Sequence, residues 1–185
     1  MLHKNDFETN KRITQVEHLL KKNRHKGIVK RCIFLDFDGV INLFYDPDTP
    51  GYEEFCKRME NGAEWADIDC VRRLDDLVQD FDLHVIISSS WRYDGVQSCQ
   101  EYLFRNGMKA IDKVIDITPS LKSGSREDEI CIYLLEHPIY SDYIVLDDLP
   151  MPELGIHDIQ TNLHSGYNED CDCLARKYLN QSYRK

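Results

Sequence analysis

Ile33-Phe34-Leu35-Asp36-Phe37-Asp38-Gly39-Val40 is the stretch on which the reading of this chain turns. An apolar run rich in strand-forming residues delivers Asp36 and Asp38 onto a glycine. Gly39 allows the backbone to bend there, and that bend can turn both carboxylates toward one point above the strand's end. Carboxylates that share a small space repel each other, which is costly unless a cation or a shared proton compensates. The plainer alternative is a strand that merely ends in an Asp-Gly turn. The remainder of the chain decides between them.

Working outward, the first strand spans residues 29–36 and follows a helix over residues 8–23, with Ile13, Val16, Leu19 and Leu20 at helical spacing. Residues 41–65 read as an irregular region ending in a short polar piece, since Pro47, Pro50 and Gly51 exclude a regular element in its first half. Val71, Leu74, Leu77, Val78 and Phe81 form one stripe of a helix over 68–81. A second strand, His84-Val85-Ile86-Ile87, opens into Ser88-Ser89-Ser90-Trp91-Arg92, and a helix over 95–106 stops at Gly107. Val114-Ile115-Asp116-Ile117 is a third strand. Ser125-Arg126-Glu127-Asp128 resembles a capping box that opens a helix ending before Pro138. Tyr143-Ile144-Val145-Leu146 is a fourth strand ending in Asp147-Asp148, a fifth is expected within 156–160, and a last helix covers 169–180.

Strands that alternate with helices predict an α/β fold, a mainly parallel sheet with helices on both faces. Ligands of such sheets bind outside the carboxyl ends of the strands. Three apolar strands here end on Asp36, Ser88 and Asp147, so one edge should collect all three. These residue types describe a pocket for a magnesium-bound phosphate. Mg²⁺ takes a few carboxylates plus water and phosphate oxygens, which Asp36, Asp148 and a substrate can supply. Ser88, with the backbone N–H groups of Ser89 and Ser90, can hold phosphate oxygens. Lys122 or Arg126 can neutralise the transferring phosphoryl group.

Asp36-Phe37-Asp38-Gly39-Val40, the strand-end serine, a basic residue near a helix start and Asp147-Asp148 resemble the four motifs of the haloacid dehalogenase (HAD) superfamily, in the expected order. The finer pattern of Ser-Ser-Ser-Trp-Arg, Thr-Pro, Arg-x-x-Glu-Ile and Leu-Asp-Asp is similar to the HAD-like domain of Swiss army knife RNA repair proteins. The resemblance implies a three-layer Rossmann-like HAD fold with sheet order 5-4-1-2-3, capless or with a small flap over 41–65. With the basic start, the chain is expected to divide into a basic helical extension, 1–28, and a catalytic domain, 29–185. The resemblance also implies roles: Asp36 attacks phosphorus, giving an aspartyl-phosphate, and Asp38 protonates the leaving oxygen and then activates water. The Asp38 backbone carbonyl and Asp148 bind Mg²⁺ together with Asp36, while Asp147 orients the basic residue or a metal-bound water. Arg126 matches the subfamily at the basic position; Lys122 is the residue type commoner across the superfamily.

Charge narrows the partners. Residues 1–31 carry nine Lys/Arg against three Asp/Glu, and the rest 14 against 30, so a basic start precedes a strongly acidic body. That body disfavours broad nucleic-acid binding through phosphate contacts, although a phosphorylated macromolecular end remains a substrate to weigh. The basic segment reads as a solvated helix, or else as a contact for an acidic partner or nucleic acid. The polar start and scattered odd cysteines predict a cytoplasmic chain with reduced thiols and no membrane span. His157, His164, Cys171 and Cys173 fit no common zinc spacing. Trp91 suits a pocket wall or a base stack, and Arg92 either binds substrate or pairs with a helix carboxylate. The expected function is therefore a Mg²⁺-dependent phosphomonoester phosphatase. Its rivals are a nucleic-acid end-processing phosphatase and a non-catalytic phospho-ligand or partner-binding domain. A receiver-type signalling domain fits less well, because a serine stands at the second strand end.

Overall fold

The computed structural model describes residues 4–48, 50–60, 65–122 and 124–182. The chain runs α1 (Lys4–His25), β1 (Arg31–Leu35), α2 (Tyr52–Glu60), α3 (Ile68–Phe81), β2 (His84–Ile87), α4 (Val96–Arg105), β3 (Val114–Ile117), α5 (Arg126–Glu136), β4 (Asp142–Asp147), β5 (Asp158–Gln160) and α6 (Glu169–Ser182). The strands form one parallel sheet in the order β3-β2-β1-β4-β5, the predicted order read from its other edge. All of β1 is buried, as a central parallel strand covered on both faces requires.

Alternation along the strands divides the core into two layers. On one face Ile33, Leu35, Val85, Ile87, Ile144 and Leu146 pack with Leu74, Val78, Leu103 and Leu179 of α3, α4 and α6. On the other, Cys32, Phe34, Ile86, Tyr143 and Val145 pack with Val16 and Leu20 of α1 and with Ile130, Cys131 and Leu134 of α5. The basic helix α1 is thus seated in an outer layer through Val16 and Leu20, with Lys11, Lys21 and Lys22 exposed.

Register places the site. Leu35 of β1 lies opposite Ile87 of β2 and Leu146 of β4, so the next residues emerge at one level. The Asp36 amide donates to the Leu146 carbonyl at 3.0 Å, and the Ser88 amide to the Leu35 carbonyl at 2.9 Å.

The region 41–65 differs from the sequence reading. Its second half holds the helix α2, which buries none of its residues but sets Phe55 5.0 Å from the Tyr45 ring and 6.3 Å from Trp65. Tyr52, Phe55, Cys56 and Met59 stand at helical spacing, the signal that identifies this helix in the sequence. The flap is stitched to the body where the Phe44 amide donates to the Leu163 carbonyl at 2.9 Å. Nothing among the described residues forms a separate cap domain.

Candidate active site

After Asp36 the chain turns tightly. The amides of Ile41 and Asn42 both donate to the Phe37 carbonyl, at 2.9 and 2.8 Å, and Gly39 adopts a φ of 70°. A Cβ at Gly39 would lie 2.7 Å from the Asp148 Cβ. Only glycine meets both demands, the left-handed backbone and the close approach of the loop after β4.

The carboxylate cluster that forms is Asp36, Asp147 and Asp148, with one oxygen from each within 4.8 Å of the others. Among the described residues no other acidic, histidine or cysteine group gathers so closely. Asp36 accepts from the Phe37 amide at 2.8 Å through Oδ1 and from Arg126 Nη1 at 2.7 Å through Oδ2. The same Arg126 nitrogen donates to Asp147 Oδ2 at 2.5 Å, while Asp147 Oδ1 accepts from the Leu149 amide.

Electrostatics follow from this crowding. Burial, reinforced by the Asp36 charge, pushes the Asp147 carboxyl up to about 7 against the pull of Arg126. Burial and then the Asp36 charge also raise Asp148. For Arg126 burial opposes the charge, yet Asp36 and Asp147 hold its pKa above the ordinary arginine range. Three acids against one arginine leave an excess of negative charge in a partly dry site, and hard oxygen donors of this kind fit Mg²⁺.

Asp38 is held elsewhere than expected. Its carboxylate does not close the cluster with Asp36; Oδ1 accepts from Asn42 Nδ2 at 2.9 Å and Oδ2 from Trp91 Nε1 at 3.2 Å. Asn42 is oriented in turn by the Tyr102 hydroxyl, which donates to its Oδ1 at 2.7 Å. Phe37, Trp91 and Tyr102 stack into one aromatic wall, with Trp91 and Tyr102 centroids 4.7 Å apart. Sequence reasoning missed Asn42 and Tyr102, because a residue on a turn and one on a distant helix share no pattern. Trp91 joins this wall through its ring and bonds Asp38 through its N–H.

The serine turn follows β2 directly. Ser88 is fully buried, and its hydroxyl oxygen lacks a hydrogen-bond partner. A buried polar atom left without a partner next to a carboxylate cluster suits an oxygen-rich ligand. Ser89 accepts from the Trp91 amide at 3.3 Å, and Ser90 is exposed at the start of a short 3-10 turn, Ser90–Asp94. Of the two readings of Arg92, substrate contact or a pair with a helix carboxylate, the structure shows the pair, and the side chain is only 6% exposed. Its Nη1 donates to the carbonyls of Ser88 and Ser89 at 2.5 and 3.0 Å, and its Nη2 to Glu129 of α5 at 2.8 Å. Arg92 therefore supports the serine turn from beneath. Lys122 is exposed on the loop before α5; Arg126 is the residue bonded to both carboxylates.

Among the described residues His157, His164, Cys171 and Cys173 do not gather into a metal-binding group. His157 is buried against the Tyr143 carbonyl and Glu17, and His164 bonds the Phe44 carbonyl of the flap. No described helix is long and apolar enough to cross a membrane.

A family model of the HAD domain in Swiss Army Knife RNA repair proteins matches residues 32–170. The matched span contains every residue of the carboxylate cluster, the serine turn and Arg126, and leaves α1 outside. No curated protein and no solved structure gives a significant match.

Proposed function

The chain belongs to the family of HAD domains found in Swiss Army Knife RNA repair proteins, and from that premise we propose that it hydrolyses phosphomonoesters through an aspartyl-phosphate on Asp36. The coarser assignment, a HAD hydrolase of the phosphatase type, is carried by the family. The finer one rests on a single arrangement: Arg126 Nη1 bonded to both Asp36 and Asp147 at the strand ends where Asp148 and the unpartnered Ser88 hydroxyl also lie.

In this mechanism a carboxylate oxygen of Asp36 attacks phosphorus and the bond from phosphorus to the leaving oxygen breaks. Asp38, protonated beforehand, gives its proton to that oxygen. Asp38 then takes a proton from water as the water attacks the phosphoryl group, which releases phosphate and restores Asp36. Arg126 offsets charge on the transferring group, and Ser88 with the backbone of Ser89 and Ser90 holds its oxygens. Mg²⁺, held by Asp36, Asp148, Asp147 and the Asp38 backbone carbonyl, would supply further charge neutralisation on the phosphate. Asn42 and Trp91 hold Asp38 at the turn by one bond to each oxygen, which leaves each oxygen a further lone pair for the proton it exchanges with the leaving group.

The family's description favours a phosphorylated RNA end as the substrate. The region 41–65, too short to carry an independent core, would act as no more than a flap and would admit such an end. The acidic body argues against long backbone contact, so the end rather than a duplex is the proposed ligand. The test is a turnover screen with Mg²⁺ over p-nitrophenyl phosphate, nucleotides and phosphorylated oligonucleotides, with Asp36→Asn as control. Hydrolysis by the wild type but not by the variant is the expected result; equal rates would remove Asp36 from the chemistry.

A further inference from the structure

We propose that Thr9 and Arg12 of α1 are positioning residues, which set the aim of Arg126 by gripping the carboxylate of Asp128. The proposal rests on the reading of Asp36 and Arg126 given above. Arg126 is the first residue of α5, and one of its nitrogens serves two acceptors, so its placement tolerates little error. The loop that precedes it contains no regular element among its described residues. What fixes the first turn of α5 is its side chains. Ser125 caps the helix and Asp128 answers with Oδ2 to the Ser125 amide at 3.3 Å. The other oxygen of Asp128 accepts from Thr9 Oγ1 at 3.0 Å and from Arg12 Nη1 at 2.6 Å. Next to it, Glu129 bonds Arg92 and the Leu121 amide at 2.9 Å.

The start of α5 is thus tied in two directions. Glu129 joins it to the serine turn, and Asp128 joins it to α1. The Asp128 side chain is 6% exposed, so loss of its partner leaves a nearly buried carboxylate with incomplete compensation. Movement of the turn that carries Arg126 relieves it by bringing that carboxylate to water. The α1 residues that do this lie outside residues 32–170, the span the family model matches.

The test uses the full chain with p-nitrophenyl phosphate and Mg²⁺. Arg12→Ala and Thr9→Val should each lower kcat, Arg12→Ala by roughly tenfold, with KM little changed. Arg12→Lys should restore most of the rate. Asn23→Ala is the control, because Asn23 Nδ2 anchors the far end of α1 to the Tyr140 carbonyl at 2.6 Å. It should lower the melting temperature without lowering kcat. A second readout needs no turnover: the Arg126 guanidinium resonance, identified by its loss in Arg126→Lys, should shift or broaden in Arg12→Ala but not in Asn23→Ala. If the wild type hydrolyses no phosphomonoester, the proposed function fails, and this resonance still decides the present proposal. An unmoved resonance, or rates that fall with stability alike in both variants, would overturn it.

Discussion

The indole of Trp91 donates from Nε1 to Oδ2 of Asp38 at 3.2 Å. This bond joins the turn after β1 to the serine turn after β2, and it places a donor on the group proposed as general acid and base. Trp91→Phe keeps the ring that packs against Phe37 and Tyr102 and removes only the N–H. We predict a fall in kcat of about tenfold for alkyl phosphates, whose leaving oxygens need a proton, and a smaller fall for p-nitrophenyl phosphate. Equal losses for both would mean that Trp91 supports packing rather than Asp38.

Gly39→Ala should damage the site beyond its effect on stability. The left-handed backbone costs about 1–3 kcal/mol with a side chain, and the added methyl must displace Asp148. Calorimetry should show that loss, and the Mg²⁺ concentration for half-maximal activity should rise. A variant with wild-type Mg²⁺ dependence would remove Asp148 from the metal site.

Arg92 and Glu129 form a buried ion pair, and breaking it by Glu129→Ala should destabilise the fold by about 3–5 kcal/mol. Denaturant unfolding measures this directly. A loss under about 1 kcal/mol would contradict the buried tie between the serine turn and α5.

The metal makes a separate prediction. EDTA should abolish activity and Mg²⁺ should restore it, with Asp148→Ala raising the requirement. Mg²⁺ should also raise the melting temperature of the wild type in the absence of substrate, since a ligand of the folded state stabilises it. Restoration by Zn²⁺ and not by Mg²⁺ would contradict the all-oxygen site.

Much of this was legible in the residues. The strands ending in Asp36, Ser88 and Asp147 are apolar runs that stop on polar residues, and parallel register does the rest. The capping box at Ser125 and Asp128 also announces itself, because both partners lie within one turn. What escaped depends on partners distant in the chain. The bonds of Asp38 to Trp91 and of Asn42 to Tyr102 span elements with no common period. Arg92 carries two readings until Glu129 of α5 arrives against it. The charged surface of α1 suggests a solvated helix, whereas Val16 and Leu20 bind it to the sheet and Arg12 binds it to α5. Helix α2 lies on the surface, where flanking prolines and a weak apolar stripe obscured it.

In the proposed reaction Asp36 carries the phosphoryl group. Acid quench during turnover, followed by borohydride reduction and peptide mass spectrometry, tests it most directly. The peptide containing Asp36 should gain the mass of a phosphoryl group before reduction. After reduction, position 36 should read as homoserine, and Asp36→Asn should show neither change. Robust hydrolysis with the label on another residue, or with no covalent label under conditions that trap acyl phosphates, would contradict it.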